Sequence, residues 1–310
     1  MRIDDISGLV GNTPLVGISR LSPNPRVRLW AKLEGQNPTG SVKDRIAQAM
    51  LDAAEASGEL TPERRLLEPT SGNTGISLAF LARRRGYPLM CVMPETASAE
   101  RRDLIAAYGA HIKLTEGEYG SNGAIRVAER MAKEDPTYLM LYQYGNAANP
   151  GAHYQTTGPE VLNDLPEVTH FVAGLGTGGT LTGVGRYLKE HKPGVKVIAA
   201  EPQQGDLVYG LRSLEDGFVP PVFDPTVLDR RIKVSAADSV RMTKEVLAQE
   251  GIFCGISAGA TVHVARRVAM GLDSGDIVCL FADGGWKYLS TEIWTKEIDQ
   301  AASDVEYMPW

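Results

Sequence analysis

Cysteine is scarce in this chain, with three among 310 residues, at positions 91, 254 and 279. No two of them form a C-x-x-C pair, and each sits in an apolar, strand-like run. They read as three buried thiols in a reducing compartment, not as a disulfide framework. Histidine is also sparse. The five residues, at 111, 153, 170, 191 and 263, show no H-E-x-x-H or Cys/His ligand spacing, so no metal site is indicated. No apolar run reaches the ~18 residues of a membrane span. The N-terminus has no basic segment leading into an apolar one, so no signal peptide is expected and the cytoplasm is the default location. Basic charge is short as well: 32 Lys and Arg stand against 38 Asp and Glu, a net charge of -6. That balance argues against a nucleic-acid partner, whose phosphates need a basic footprint. There is no G-x-S-x-G nucleophile elbow, no low-complexity tract and no solenoid-type repeat.

What is present is an ordinary globular balance, 43% hydrophobic and 23% charged, in a chain long enough for about two domains. Short apolar runs at 27–33, 65–69, 89–93, 111–115, 139–144, 170–175, 196–200, 252–256 and 277–282 predict strands. They alternate with helical patterns at 41–56, 75–85, 98–108, 121–134, 153–163, 179–190, 236–249, 258–270 and 287–300. Such alternation predicts an α/β protein with parallel sheets flanked by helices. In the first helix Val42, Ile46, Ala49, Met50 and Ala53 make one apolar stripe, and Ser41 with Asp44 fits a capping box. The turn-rich segments 34–40 and 144–151 are candidate crossings between domains, with a ligand at the C-terminal ends of the strands.

Four segments carry polar chemistry. In Pro38-Thr39-Gly40-Ser41-Val42-Lys43-Asp44-Arg45 a lysine opens a helix. The helix dipole disfavours an ammonium there, and the neighbouring Arg45 adds to that effect. A lysine pressed toward its neutral amine suits Schiff-base chemistry, although the segment alone reads as a solvated surface lysine. Glu68-Pro69-Thr70-Ser71-Gly72-Asn73-Thr74-Gly75 ends a strand and opens a helix, exposing backbone N–H groups to a carboxylate. Gly174-Leu175-Gly176-Thr177-Gly178-Gly179-Thr180 does the same for a phosphate. It also matches G-x-G-x-x-G, with Glu201 at an acidic spacing that a dinucleotide fold would use. In Gly255-Ile256-Ser257-Ala258-Gly259-Ala260, Ser257 either meets a ligand or caps a helix.

Taken in order, these segments resemble the cysteine synthase family of fold-type II pyridoxal-phosphate (PLP) enzymes, whose fold is like the tryptophan synthase β subunit. The resemblance runs from Gly11-Asn12-Thr13-Pro14-Leu15 to Lys287-Tyr288-Leu289-Ser290-Thr291. It implies a smaller α/β domain over 35–147, a larger one from 1–34 with 148–310, PLP in the cleft between them, and a homodimer. By motif, Lys43 is the Schiff-base lysine and Asn73 lies beside the ring hydroxyl. Gly176, Thr177, Gly178, Gly179 and Thr180 hold the cofactor phosphate. Thr70, Ser71, Asn73 and Thr74 take the substrate carboxylate with Gln143. Ser257 is the implied partner of the pyridine nitrogen, with Asp283 its rival.

Within the family, RLWAKLE, YQYGN, THFVAGLGT and GWKYLST resemble the mycobacterial-type branch that uses O-phosphoserine. That likeness makes Arg212 the ligand of the substrate phosphate, through a planar fork suited to two oxygens. It also implies a small ubiquitin-like, thiocarboxylated carrier protein as sulfur donor. The reaction implied is β-replacement on an amino-acid substrate, giving L-cysteine. An O-acetylserine enzyme using free sulfide is the nearest alternative. A serine dehydratase, a PLP or amino-acid sensor and an NAD-dependent oxidoreductase are more remote. The aromatic tail, residues 304–310, is expected to fold over the cleft.

Overall fold

The computed structural model describes residues 2–70 and 72–297. In chain order the strands are β1 (Leu15–Gly17), β2 (Val27–Leu33), β3 (Arg65–Pro69), β4 (Leu89–Pro94), β5 (His111–Thr115), β6 (Tyr138–Met140), β7 (His170–Gly174), β8 (Lys196–Pro202), β9 (Arg230–Val234) and β10 (Gly275–Phe281). The helices are α1 (Lys43–Ala56), α2 (Asn73–Arg85), α3 (Ala99–Ala107), α4 (Gly120–Glu134), α5 (Ala148–Ala152), α6 (Gly158–Asp164), α7 (Gly179–His191), α8 (Ala236–Glu250) and α9 (Ile256–Ala269).

The strands form two sheets, a six-stranded one in the order β1-β2-β10-β7-β8-β9 and a four-stranded one in the order β5-β4-β3-β6. Only β1 runs antiparallel to its neighbour. The inner strands of both sheets are buried on two faces, which is why they read as continuous apolar runs, whereas the edge strands β5 and β9 are partly exposed. In β10, Ile277, Cys279 and Phe281 pack into one core beside α8 and α9, while Val278 and Leu280 pack into another beside α7. In the smaller sheet Leu66 and Leu67 of β3 alternate in the same way between two cores. Each such buried side chain contributes roughly 1.5–3 kcal/mol. All three cysteines are buried free thiols.

Several sequence expectations need correction. The run 252–256 is not a strand: Cys254 makes a single bridge to Gly284. β10 already has β2 and β7 on its two sides, so this segment can only cross the strand ends. The helix expected over 153–163 is interrupted by a π turn at His153–Thr157 between α5 and α6. The run 139–144 pairs only through Met140, after which Tyr142 takes a positive φ of 58° and turns the chain toward the cleft. Of the helix expected over 287–300, residues 298–300 lie outside the described residues; before them the chain forms instead a 3-10 segment at Gly285–Thr291, kinked at Tyr288. Two strands escaped the pattern, β1 because it is three residues long and β9 because Arg230 and Arg231 lie at an exposed sheet edge.

The capping box is absent too, and α1 begins after Val42 without a side-chain cap. The Asp44 carboxylate instead accepts from Thr39 N at 2.7 Å, from the Thr39 hydroxyl, and from Ser77 Oγ at 2.5 Å. It thereby ties the start of α1 to α2.

Arg45 also departs from expectation. Its guanidinium faces away from Lys43 into a buried ion network, bonding Glu34 through Nε at 2.7 Å and Glu160 through Nη1 at 2.6 Å. Lys32 of β2 reaches the same Glu160 at 2.8 Å. The network fastens α1 to the larger sheet. Removing one partner of such a set strands the remaining charges, so Arg45→Met should lower stability by about 3–5 kcal/mol in denaturant titration. Its pairing holds Glu160 at about 2, below the ordinary 4.5. A depressed carboxylate stabilises the fold above its unfolded value and loses that contribution as pH falls. Acid titration of the wild type should therefore show stability lost between about 4.5 and about 2, and Arg45→Met, which leaves Glu160 only Lys32, should show a smaller loss over that range.

Candidate active site

The site lies where the two sheets present their topological switch points. β3 has β4 on one side and β6 on the other, and β7 has β8 and β10. In such sheets the connections leave in opposite directions and open a crevice at the strand ends. Thr70 and α2 follow β3, Gln143 follows β6, the glycine loop follows β7, and Asp283 follows β10. All of these line one cleft, together with Lys43, Ser257 and Arg212.

Lys43 is the first residue of α1 and is only partly exposed. Burial lowers its proton affinity, with Asp283 and Glu34 opposing. The lowering thus comes from desolvation, not from Arg45. An amine kept toward neutrality in a cleft is a competent nucleophile and base.

The EPTSGNTG segment forms one wall. Thr70 Oγ1 accepts from Gly72 N at 3.1 Å and Gly75 N at 3.3 Å, which leaves its proton for a ligand. Thr74 Oγ1 donates to Gln143 Oε1 at 2.7 Å, so the Gln143 amide nitrogen is turned toward donation. Asn73 and Thr74, whose N–H groups open α2 without helical partners, line the same space. Ser71 lies outside the described residues. Asn73 Nδ2 donates to Asp283 Oδ2 at 2.7 Å.

The glycine loop forms the opposite wall. Gly178 has a φ of +80°, where a side chain would be strained, and caps α7. A Cβ on Gly176 would come within 2.6 Å of the Gly210 carbonyl, and one on Gly179 would collide with Asn149 Oδ1. The loop is therefore a backbone cradle closed to side chains. Asn149 Nδ2 holds the Thr177 hydroxyl at 3.1 Å, and His153 Nε2 meets the Thr180 hydroxyl at 3.1 Å. The π turn brings His153 here, and burial holds its imidazole well below its ordinary pKa, so it stays neutral. This cradle, with α7 pointing its N-terminus inward, fits a phosphate. Facing it are a desolvated lysine and a cleft whose charged lining is Lys43, Arg101 and Arg212 against Asp283. The residues present fit PLP.

Ser257 and Asp283 differ in their freedom. The Ser257 hydroxyl opens onto the cleft near the start of α9 and has no hydrogen bond among the described residues. Asp283 is buried, and its Oδ2 accepts from both Asn73 and the Tyr288 hydroxyl, the latter at 2.6 Å. A Cβ at Gly255 would collide with Asp283 Oδ1, which explains the first glycine of GISAG.

Arg212 also lines the cleft. Its guanidinium lies 4.8 Å from the Phe218 ring centre and 5.6 Å from that of Tyr144, and Nη1 donates to Asn122 Oδ1 at 3.3 Å. Among the described residues no carboxylate pairs with it. Glu201, the acidic residue a dinucleotide fold would use, is buried and already paired with Lys233 at 3.0 Å and Arg231 at 3.3 Å.

Sequence reading missed several participants. Arg101 of α3 enters the cleft 4.9 Å from the Tyr288 ring centre. Glu68 is buried at the end of β3 and accepts from Tyr142 N at 2.8 Å and Gln143 N at 3.0 Å, placing Gln143. Burial pushes its carboxyl up to about 8. Its signal was a carboxylate closing an apolar strand. Asn149, His153 and Lys287 gave no local signal, because their partners are remote in sequence.

The model of the family described as "Pyridoxal-phosphate dependent enzyme" matches residues 6–283. Cysteine synthase B of Salmonella typhimurium is 41% identical over 289 residues, covering 93% of this chain and 95% of that protein. The crystal structure of an O-ureido-L-serine synthase superposes with a TM-score of 0.90 at 38% identity, covering 97% of this chain and 99% of the other. That of the Entamoeba histolytica cysteine synthase (OASS) does so with a TM-score of 0.90 at 33% identity, covering 99% and 96%. The chain therefore belongs to the pyridoxal-phosphate dependent enzymes and is of the cysteine synthase type. The oxidoreductase reading falls with this result and with the pairing of Glu201. Among the described residues no helix is long and apolar enough to cross a membrane.

Proposed function

We propose that this enzyme makes L-cysteine by β-replacement on O-phosphoserine in preference to O-acetylserine. The observation that carries the reading is Arg212, a cleft-lining guanidinium without a carboxylate partner among the described residues. A phosphate dianion needs such a fork; a neutral acetyl ester does not. The sulfur donor is a thiocarboxylated carrier protein or sulfide. The smaller sheet belongs to a domain over 35–147 and the larger to 1–34 with 148–310, and two copies form the homodimer. The tail proposed to cover the cleft, residues 304–310, lies outside the described residues.

Bound PLP supplies an electron sink for the carbanion at the substrate α carbon. Residues 176–180 would hold its phosphate, Asn73 would lie beside its ring, and the free hydroxyl of Ser257 would bond its pyridine nitrogen. Thr70, Ser71, Thr74 and Gln143 clamp the substrate carboxylate, and so fix which bond at the α carbon faces Lys43. Lys43 Nζ takes the α proton and later returns it. Arg212 binds the phosphate that leaves the β carbon.

The test is the visible absorbance of the holoenzyme titrated with each activated serine. O-phosphoserine should change the spectrum at lower concentration than O-acetylserine. A response to O-acetylserine alone would retain the enzyme type and overturn the substrate.

A further inference from the structure

Lys287 stands in the 3-10 segment Gly285–Thr291 below the cleft and is fully buried. Burying an ammonium is costly, and among the described residues no carboxylate lies within ion-pair distance to offset it. Its Nζ donates to Asn73 Oδ1 at 2.8 Å, while Asn73 Nδ2 donates to Asp283 Oδ2 at 2.7 Å. The order of this relay is forced by chemistry. An ammonium can only donate, so the amide oxygen must face Lys287. A carboxylate can only accept, so the amide nitrogen must face Asp283. The Tyr288 hydroxyl, at 2.6 Å from the same carboxylate oxygen, holds the far end. The charged groups facing Lys287 are Asp44 from α1, Arg101 from α3 and Asp283 from the turn after β10; α2 contributes only the neutral amide.

We propose that Lys287 is a positioning residue for the cofactor: its ammonium, acting with Asp283 at the other end of the amide, locks Asn73 in one orientation, and so sets the hydrogen bonding and the field at the edge of the bound ring. The inference rests on Asn73 lying beside that ring. Burial brings Lys287 down to about 8, aided by Arg101 and opposed by Asp283 and Asp44. Below that value the ammonium and Asp283 both hold the amide; above it only Asp283 does, so the restraint weakens and the positive charge beside the ring edge is lost. The relay therefore carries an alkaline transition, which a merely space-filling lysine would not.

The test compares wild type, Lys287→Met, Lys287→Arg and Asn73→Ala. The readouts are the holoenzyme's visible spectrum from neutral to alkaline pH, the affinity of the apoenzyme for PLP, and Tm. Lys287→Met should lose the spectral transition near 8 and bind PLP about tenfold more weakly, as loss of a charge-assisted hydrogen bond implies. Lys287→Arg restores a donor that does not titrate in this range. It should keep the neutral-pH spectrum and an affinity within about threefold of wild type, yet lack the transition. If Lys287→Met keeps spectrum, transition and affinity while Asn73→Ala alters them, the inference is overturned and the placement of Asn73 stands. An unchanged spectrum in Asn73→Ala overturns both. Equal losses of PLP and of Tm in both Lys287 variants would make the lysine a scaffold residue, and would also overturn the inference.

Discussion

Replacing Lys43 with alanine is expected to lower cysteine formation by roughly four orders of magnitude or more, because in the proposed mechanism one side chain both anchors the cofactor and carries the α proton. The fold should survive. Lys43 makes no ion pair among the described residues, and the helix it opens is held by Asp44 and Arg45 instead. The phosphate cradle is also untouched, so the variant should still bind PLP, but without the covalent attachment. It should release the cofactor on desalting, whereas the wild type retains it. Exogenous primary amines should restore part of the activity by supplying the missing base. Normal cysteine formation by Lys43→Ala would remove the assignment.

The second large effect concerns Arg212. Arg212→Ala should lower kcat/KM for O-phosphoserine by about 100-fold to 1000-fold, since under the proposed reading truncation leaves the substrate phosphate without its charged partner. The same variant should change kcat/KM for O-acetylserine by less than about threefold, because a neutral ester makes no charge-assisted bond there. Arg212→Lys should fall between, losing about tenfold on O-phosphoserine: the charge remains but the two-oxygen fork does not. The aromatic bracket of Tyr144 and Phe218 is shaped for a planar guanidinium, a further reason lysine is an incomplete substitute. Steady-state kinetics on both substrates measure this. Equal losses on the two would show that Arg212 supports the fold of the cleft and does not select the substrate.

The chemistry-bearing loops were readable because each is local. A glycine with a positive φ, a hydroxyl after a strand and a lysine at a helix start are short-range patterns, and Gly178, Thr70 and Lys43 occupy the places those patterns predict. The sheets were readable for a related reason: strands buried on both faces leave unbroken apolar runs, as in β7 and β10. Elements whose burial is unusual were not. β9 is an edge strand carrying arginines, and the segment around Cys254 is apolar without being a strand.

By itself, then, the amino-acid order determined which loops present hydroxyls, a positive-φ glycine and a helix-opening lysine, since backbone conformation and helix ends depend on neighbours a few residues away. Only the tertiary structure decided what those loops meet. Asp44 forgoes its cap to bind Thr39 and Ser77, and Arg45 turns from Lys43 to Glu34 and Glu160. Asn73 joins Asp283 and Lys287, more than 200 residues away in the chain. The order of strands β3, β7 and β10 sets those encounters, and no local periodicity encodes which strand ends will share a cleft.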